Sequence, residues 1–196
     1  VLELREIKVS EITGAIIGSV VPPVTSLMRE AIRKVTGQEA LVVNVDMNIG
    51  LEVLMDNPSS VGTDLIVGAV AGINRYPVPL ILIDMGTATT ICVVNENKQY
   101  IGGMILPGIG VSMNSLTSRT AQLPRISLDP PKRLIGKNTV ECMQSGALYG
   151  NASCIDGMVD RIEEELGQKA TVVATGGNAT FVAAFPSSPT LLPIKN

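Results

Sequence analysis

The chain has 196 residues, which is enough for one domain or two small ones with a hydrophobic core. Its composition, 45% hydrophobic and 17% charged, is typical of a globular protein, and a net charge of −3 without a lysine or arginine run argues against a nucleic-acid partner. No apolar stretch approaches the roughly 20 residues of a membrane span. The absence of histidine excludes Ser-His-Asp and Cys-His catalysis, so acid–base chemistry falls to carboxylates, lysines or tyrosines.

The first part of the chain predicts a β-α-β unit followed by a loop and a second helix. The predicted elements are a strand over 12–21, a helix over 24–37, a strand over 40–45, a loop over 48–62 and a helix over 63–76. Gly37 is expected to end the first helix. Thr63 or Asp64 is expected to begin the second, where a side-chain oxygen can accept from free N–H groups.

Residues 74–77, Asn-Arg-Tyr-Pro, are the predicted hinge between a domain over 1–76 and a domain over 77–196. In the second domain, three strands with short turns predict an antiparallel meander (79–84, 89–96 and 98–106). A helix over 108–123, a proline-rich surface loop over 124–138, a helix over 156–167 and a strand–turn–helix unit over 170–185 follow. The pattern predicts the α/β class.

Three cysteines, Cys92, Cys142 and Cys154, are an odd number without CxxC spacing. This pattern favours reduced thiols over a disulfide framework or a zinc site. Because reduced cysteines are typical of the cytosol, we expect a cytoplasmic protein.

The segment IDMGTATT places a carboxylate at the tip of an apolar strand, directly before a turn with glycine and threonines. Gly86 would let the backbone approach an anion, and Thr87 adds a hydroxyl donor. Asp84 would repel phosphate unless a cation lay between them. The alternative is an ordinary hairpin in which Asp84 caps its own turn.

Further glycine turns predict anion contacts at Gly108, before a helix, and at Gly176 and Gly177, after a strand. Asp64 follows Gly62 at a helix start and could accept a proton from a substrate hydroxyl. The alternatives are plain turn chemistry for the glycines and an N-capping role for Asp64. Taken together, these turns and carboxylates favour phosphoryl transfer, although no GxxxxGK[ST] motif is present.

The motifs VGTD, IDMGTATT, GGMILPG, IGKNTVECMQSG and ATGG occur in the order found in type III pantothenate kinases, which the chain resembles over nearly its whole length. This family belongs to the acetate and sugar kinase, Hsp70 and actin superfamily. The resemblance implies two ribonuclease H-like domains, a homodimer, and ATP-dependent phosphorylation of the primary hydroxyl of pantothenate. That reaction is the first step of coenzyme A synthesis.

The resemblance also implies residue roles. Asp64 is expected to accept the proton, and Asp84 to bind a monovalent cation, potassium or ammonium. Magnesium is expected on the ATP phosphates. The expected pantothenate contacts are Gly62, Thr63, Asp64, Leu65 and Thr139, and the expected ATP contacts are Gly86, Thr87, Gly108, Gly176 and Gly177.

The chain departs from the family pattern at several places. No D-x-G-N-T turn is present, so we expect the N-terminal domain to be incomplete in this chain, and we expect LLPIKN to stop short of the usual final helix. Leu65 stands where the family has arginine, and Met55 where it has tyrosine. These changes leave two alternatives open: a non-catalytic relative that binds nucleotide or a protein partner, and a kinase for another small alcohol.

Overall fold

The structure is a computed structural model that describes residues 6–44, 47, 49–179 and, for the backbone alone, 192–193. In the described part, a six-stranded mixed sheet has the order β3-β6-β5-β4-β7-β8. Its strands are β3 (Glu52–Val53), β4 (Leu80–Met85), β5 (Ala88–Val94), β6 (Gln99–Pro107), β7 (Thr171–Thr175) and β8 (Leu192–Pro193). The helices are α1 (Pro22–Thr36), α2 (Thr63–Ile73), α3 (Ile109–Arg119) and α4 (Thr139–Leu166).

The predicted meander is confirmed, because β4 and β6 both pair antiparallel with β5. β7 joins the other side of β4 in parallel, and β8 continues in parallel beyond it. The carboxyl ends of β4, β6 and β7 therefore lie at the same edge of the sheet, together with the start of β5.

Alternating residues of β4 supply two hydrophobic clusters, one on each face of the sheet, as strand geometry requires. Ile81 and Ile83 pack with α3 and α4, whereas Leu80 and Leu82 pack with α2. Both faces are covered, which explains why the strand reads as an almost continuous apolar run.

A two-stranded parallel sheet of β1 (Ile16–Ile17) and β2 (Leu41–Val42) precedes the main sheet, with α1 between its strands. α1 begins at Pro22, which suits the first helical position because its missing N–H has no partner there anyway. Gly37 ends it with φ of 72°, as predicted. The predicted strand over 12–21 was too long, since backbone pairing is limited to two residues on each strand.

Residues 48–62 were predicted to form a loop, but Glu52 and Val53 pair in parallel with Gln99 and Tyr100. α2 packs against β4 and β5 even though it precedes the predicted hinge. The division at residue 76 stays a prediction.

The predicted helix over 156–167 was too short, because α4 begins at Thr139 and has 28 residues. Three glycines lower the helical propensity of its first two thirds, but burial of Met143, Ala147 and Ala152 against the sheet compensates for them. The predicted strand before Gly176 is confirmed as β7. The helix predicted after that turn lies outside the described residues beyond Ala179. No helix in the described part is both long and apolar enough to cross a membrane.

Candidate active site

Polar side chains replace apolar ones at the edge where β4 and β7 end. Asp84 continues the row of Leu80 and Leu82, which faces α2. Its neighbours in register are Thr90 on β5 and Thr175 on β7. A carboxylate between two threonines therefore lies at the carboxyl ends of parallel strands, where open α/β sheets bind ligands.

Asp64 lies in the first turn of α2, two residues after Gly62, which occupies the N-cap position. Its Oδ1 accepts a hydrogen bond from the N–H of Leu65 at 3.0 Å, and the side chain is exposed. The N-capping alternative for Asp64 is therefore wrong, because Gly62 holds the N-cap position and no side chain caps the helix. A Cβ on Gly62 would lie 2.4 Å from Asp64 Oδ1, so a side chain at this position would make the Asp64 carboxylate move.

Thr63 precedes Asp64, and its Oγ1 is buried without a hydrogen-bond partner among the described residues. Such a hydroxyl is costly unless something donates to it or accepts from it. Its hydrogen-bonding capacity is therefore unused among the described residues.

The negative charge of Asp64 affects the ionisation of Asp84. Partial burial and, to a smaller extent, the negative charge of Asp64 raise the pKa of Asp84 above its ordinary value. No cationic side chain of the described part counteracts this rise. Two carboxylates therefore lie at one edge of the sheet, and no positively charged side chain of the described part offsets their repulsion.

At this edge of the sheet, the glycine turns bring backbone segments close to one another and to Asp84. Gly176 has φ of +92°, and a Cβ there would lie 2.6 Å from Asp84 Oδ1. A Cβ on Gly108, which caps α3, would lie 2.4 Å from the carbonyl oxygens of Gly86 and Thr87. The N–H of Gly108 donates to the carbonyl of Thr87 at 3.0 Å, which joins the two turns. The structure therefore brings Asp84, Gly86, Thr87, Gly108 and Gly176 together, and Gly177 follows in open space.

A cavity of about 450 Å³ lies beside Asp64, between the start of α2 and the sheet. Leu65 and Met55 line it, and its floor includes Cys92 and Tyr100. The hydroxyl of buried Tyr100 donates to Cys92 Sγ at 3.7 Å. Burial is the main cause that raises the pKa of Tyr100, and the neighbouring Cys92 and Asp64 raise it further. Burial is also the main cause that raises the pKa of Cys92. Both groups are therefore neutral at physiological pH.

Cys92 and Tyr100 were not among the site residues expected from the sequence. A signal was present, because Cys92 is two residues from Thr90 and four from Ala88, so all three share one face of β5. Recognising it would have required the register of β5 with β6.

Thr139 does not line this cavity. It begins α4, with the side chain of Asn138 accepting from Glu141 N–H at 2.9 Å. It contributes instead to a second cavity of about 360 Å³ between α3 and α4, lined by Met113 and Met143 among others. The structure therefore separates Thr139 from the cavity of Asp64, and its substrate role stays a prediction.

The residues at the edge of the sheet can be tested for fit to a cation. In the described part, no group of three or more acidic or cysteine side chains forms a complete metal cage. Asp84 nevertheless has an uncompensated carboxylate with a like-charged neighbour, and backbone carbonyls of the adjoining turns lie nearby. One carboxylate with backbone oxygens fits a weakly held cation better than a dedicated all-protein magnesium site.

Comparisons with known proteins agree with this geometry. Residues 1–161 match a family profile described as type III pantothenate kinase. A type III pantothenate kinase of Bacillus cytotoxicus is 46% identical over 182 residues, which cover 93% of this chain and 70% of that protein. A solved structure from Campylobacter jejuni, described as a Baf family transcriptional activator, superposes with a TM-score of 0.57 at 17% identity. The match covers 95% of this chain and 79% of that one, and at this identity it supports the fold alone. The chain belongs to the type III pantothenate kinase family.

Proposed function

We propose that this chain phosphorylates the primary hydroxyl of pantothenate with ATP, the first step of coenzyme A synthesis. The observation that carries the proposal is the pair Asp64 and Asp84 at one edge of the sheet, beside the joined turns of Gly86 and Gly108. The 46% identical relative is named for the same activity.

Asp64 is the proposed proton acceptor. The substrate oxygen forms a bond to the γ-phosphorus, the bond from that phosphorus to the β,γ-bridging oxygen breaks, and ADP leaves with that oxygen. The hydroxyl proton passes to Asp64, which is exposed and directly beside the cavity. A loose transition state demands little of the base, so an ordinary carboxylate within hydrogen-bond reach is sufficient.

The turns at the edge of the sheet are the proposed ATP site, through Gly86, Thr87, Gly108, Gly176 and Gly177. Gly108 precedes α3, an 11-residue helix whose first N–H groups suit a phosphate oxygen. Magnesium on the ATP phosphates would neutralise charge during transfer. Asp84 is the proposed ligand of potassium or ammonium, which would offset its repulsion from Asp64 and from phosphate.

The proposed assembly is a homodimer of chains with two ribonuclease H-like domains. The strand order, an antiparallel meander with two parallel strands beyond β4, supports that assignment for the C-terminal domain. Ile155, Val159 and Ile162 give no support to the dimer, because they are buried within the chain. Exposed apolar side chains near α3 and α4, Leu116, Leu134, Ile135 and Val140, are better candidates for a covered surface. Three free cysteines are consistent with the cytoplasm.

A second candidate is a relative that binds nucleotide without phosphorylating pantothenate. Leu65 and Met55 favour it, because both line the cavity beside Asp64 and neither offers a cation to a substrate carboxylate. This candidate predicts ATP binding without alcohol-dependent ADP release.

The experiment that tests this proposal measures ADP release in the presence of ATP and magnesium. It compares samples with and without pantothenate, in potassium or in sodium. We expect release that depends on pantothenate and increases with potassium. Asp64→Asn should lower kcat by about 10²–10⁴-fold, the usual contribution of a positioned base. Asp160→Asn, which removes an exposed carboxylate from α4, is the matched control and should retain activity. ATP binding without any pantothenate-dependent release would favour the second candidate.

A further inference from the structure

A second cavity, of about 530 Å³, adjoins the cavity beside Asp64. It lies between the first half of α1 and the segment that leads into α2. Among the described residues that line it, Arg29 is the one charged side chain, and the others are apolar or carry hydroxyl groups. The lining therefore suits an anion, since a guanidinium and hydroxyl groups all donate hydrogen bonds.

The position of Arg29 on α1 explains how it reaches this cavity. Ser26 precedes it by three residues and Pro22 by seven, so the three side chains share one face of the helix. The Nη2 atom of Arg29 lies 3.9 Å from Glu39 Oε2, and both side chains are more than half exposed, so this ion pair is weak. The guanidinium therefore retains donors for a ligand carboxylate.

The start of α2 forms another wall of the same cavity. Thr63 lies there, and its Oγ1 is buried without a hydrogen-bond partner among the described residues. A ligand that accepts a hydrogen bond from this hydroxyl would remove the cost of leaving it unpaired. Gly62 holds the N-cap position, so the positive end of the α2 dipole also lies at this wall.

The two cavities meet at the residues directly before α2. Residues 60–62 line both of them. A Cβ on Gly62 would clash with Asp64 Oδ1 and would lie 3.4 Å from Cγ1 of Val20, which lines the second cavity. Asp64 and Val20 thus approach each other across Gly62, and an alcohol whose hydroxyl reaches Asp64 can extend past Gly62 towards Arg29.

Electrostatics decides which end of such an alcohol enters which cavity. Pantothenate carries its carboxylate at the end of the molecule opposite to its primary hydroxyl. If the whole molecule stayed beside Asp64, the carboxylate would meet a like charge and a largely apolar wall. In the adjoining cavity the carboxylate meets Arg29 and the unpaired hydroxyl of Thr63 instead.

We propose that the cavity beside α1 is the subsite for the substrate carboxylate, and that Arg29 is the residue that selects an anionic alcohol. The inference rests on the proposed function, because it divides the same substrate between two adjoining cavities. Asp64 remains the proton acceptor, and Arg29 and Thr63 bind the opposite end of the molecule.

The test measures KM and kcat for pantothenate and for its neutral analogue, in which a hydroxymethyl group replaces the carboxylate. We expect Arg29→Gln to raise KM for pantothenate about tenfold, because a charge-assisted hydrogen bond at a half-exposed site is lost. The value of kcat for pantothenate and both constants for the neutral analogue should stay nearly unchanged, since Arg29 does not touch the reacting atoms. Arg29→Lys, which keeps the charge without the planar fork, should give an intermediate KM.

Lys34→Gln is the matched control, because it removes a positive charge from an exposed position of α1 that lines neither cavity. It should leave the constants for both alcohols unchanged. The inference is overturned if Arg29→Gln leaves KM for pantothenate unchanged, or weakens both alcohols equally. It is also overturned if the variant raises KM for ATP instead, since the cavity would then hold a nucleotide phosphate.

Calorimetric titration of both alcohols supplies a second measurement that does not need turnover. Arg29→Gln should weaken binding of pantothenate about tenfold and leave binding of the neutral analogue unchanged. If the chain released no ADP with either alcohol but showed this binding pattern, the kinase proposal would fail and the carboxylate subsite would stand. If pantothenate did not bind to the unmodified chain, both would fail.

Discussion

Gly176 shows how one residue without a side chain shapes the site. Its φ of +92° is strained for any other residue, and a Cβ would collide with Asp84 Oδ1 and with the backbone N of Met85, both at 2.6 Å. We expect Gly176→Ala to lower the free energy of unfolding by roughly 1–3 kcal/mol and to weaken ATP binding, because the turn must move away from Asp84. Urea unfolding and nucleotide titration would measure both effects.

The neighbouring glycine supplies the matched control. A Cβ on Gly177 meets nothing within 4 Å, so Gly177→Ala should leave stability nearly unchanged. Equal losses of stability in the two variants would contradict this explanation.

The position of these carboxylates and glycines at turns could be predicted from the sequence, because each sits at a boundary between an apolar run and a turn. Asp64 and Asp84 could be found this way, since both interrupt hydrophobic segments. Tyr100 could not, because its place on the floor of the cavity depends on a register shift between Val93 and Val94 where β5 pairs with β6. The separation of Thr139 from Asp64 likewise depends on tertiary packing, which local pattern does not specify.

At the scale of elements, the side chain of Glu163 links the end of α4 to the segment that precedes β7. Its carboxylate is buried, accepts from Ala170 N–H at 3.0 Å and pairs with Lys169 Nζ at 2.6 Å. Burial raises the pKa of Glu163, but these hydrogen bonds and the Lys169 charge outweigh it and hold the pKa below its ordinary value. The αL conformation of Gly167 makes the reversal between the two elements possible.

We expect Glu163→Gln to lower the free energy of unfolding by about 1–3 kcal/mol at neutral pH, because a buried charge-assisted contact is lost. Since the folded-state pKa is lowered, the stability supplied by Glu163 is complete above the ordinary glutamate pKa and is lost as pH falls through the folded value. The free energies of unfolding of the unmodified chain and of Glu163→Gln should therefore converge as the pH falls from 7 to 3. Glu164→Gln changes the exposed neighbour and should behave like the unmodified chain at every pH.

Element boundaries were the least predictable feature, for reasons visible in α4 and β3. Gly146, Gly150 and Gly157 weaken the local helix signal, so the sequence indicated only the last part of a helix that tertiary burial extends to Thr139. β3 has two residues and forms through pairing with β6 about 47 positions away, which no local pattern reveals. The meander was predictable because its strands are apolar runs separated by short turns.

At the scale of the whole molecule, the two hydrophobic clusters share the same strands. Ile66 of α2 is fully buried on one face of the sheet, and Ile155 of α4 is 3% exposed on the opposite face. Adjacent residues of β4 and β5 contribute to one cluster and then to the other, so neither cluster can loosen without disturbing the strands that support its counterpart. This arrangement favours a single cooperative unfolding transition for the sheet and its helices.

We therefore expect Ile66→Ala and Ile155→Ala each to destabilise the chain by about 2–5 kcal/mol and to shift one and the same transition. Ile135→Ala, at a position that is 74% exposed, is the control and should change stability little. Calorimetry with fluorescence and circular dichroism would show whether the probes coincide. If Ile66→Ala produced a second, earlier transition while Ile155→Ala did not, α2 would be an independently unfolding unit, and the start of α2 that carries Asp64 would open without loss of the sheet.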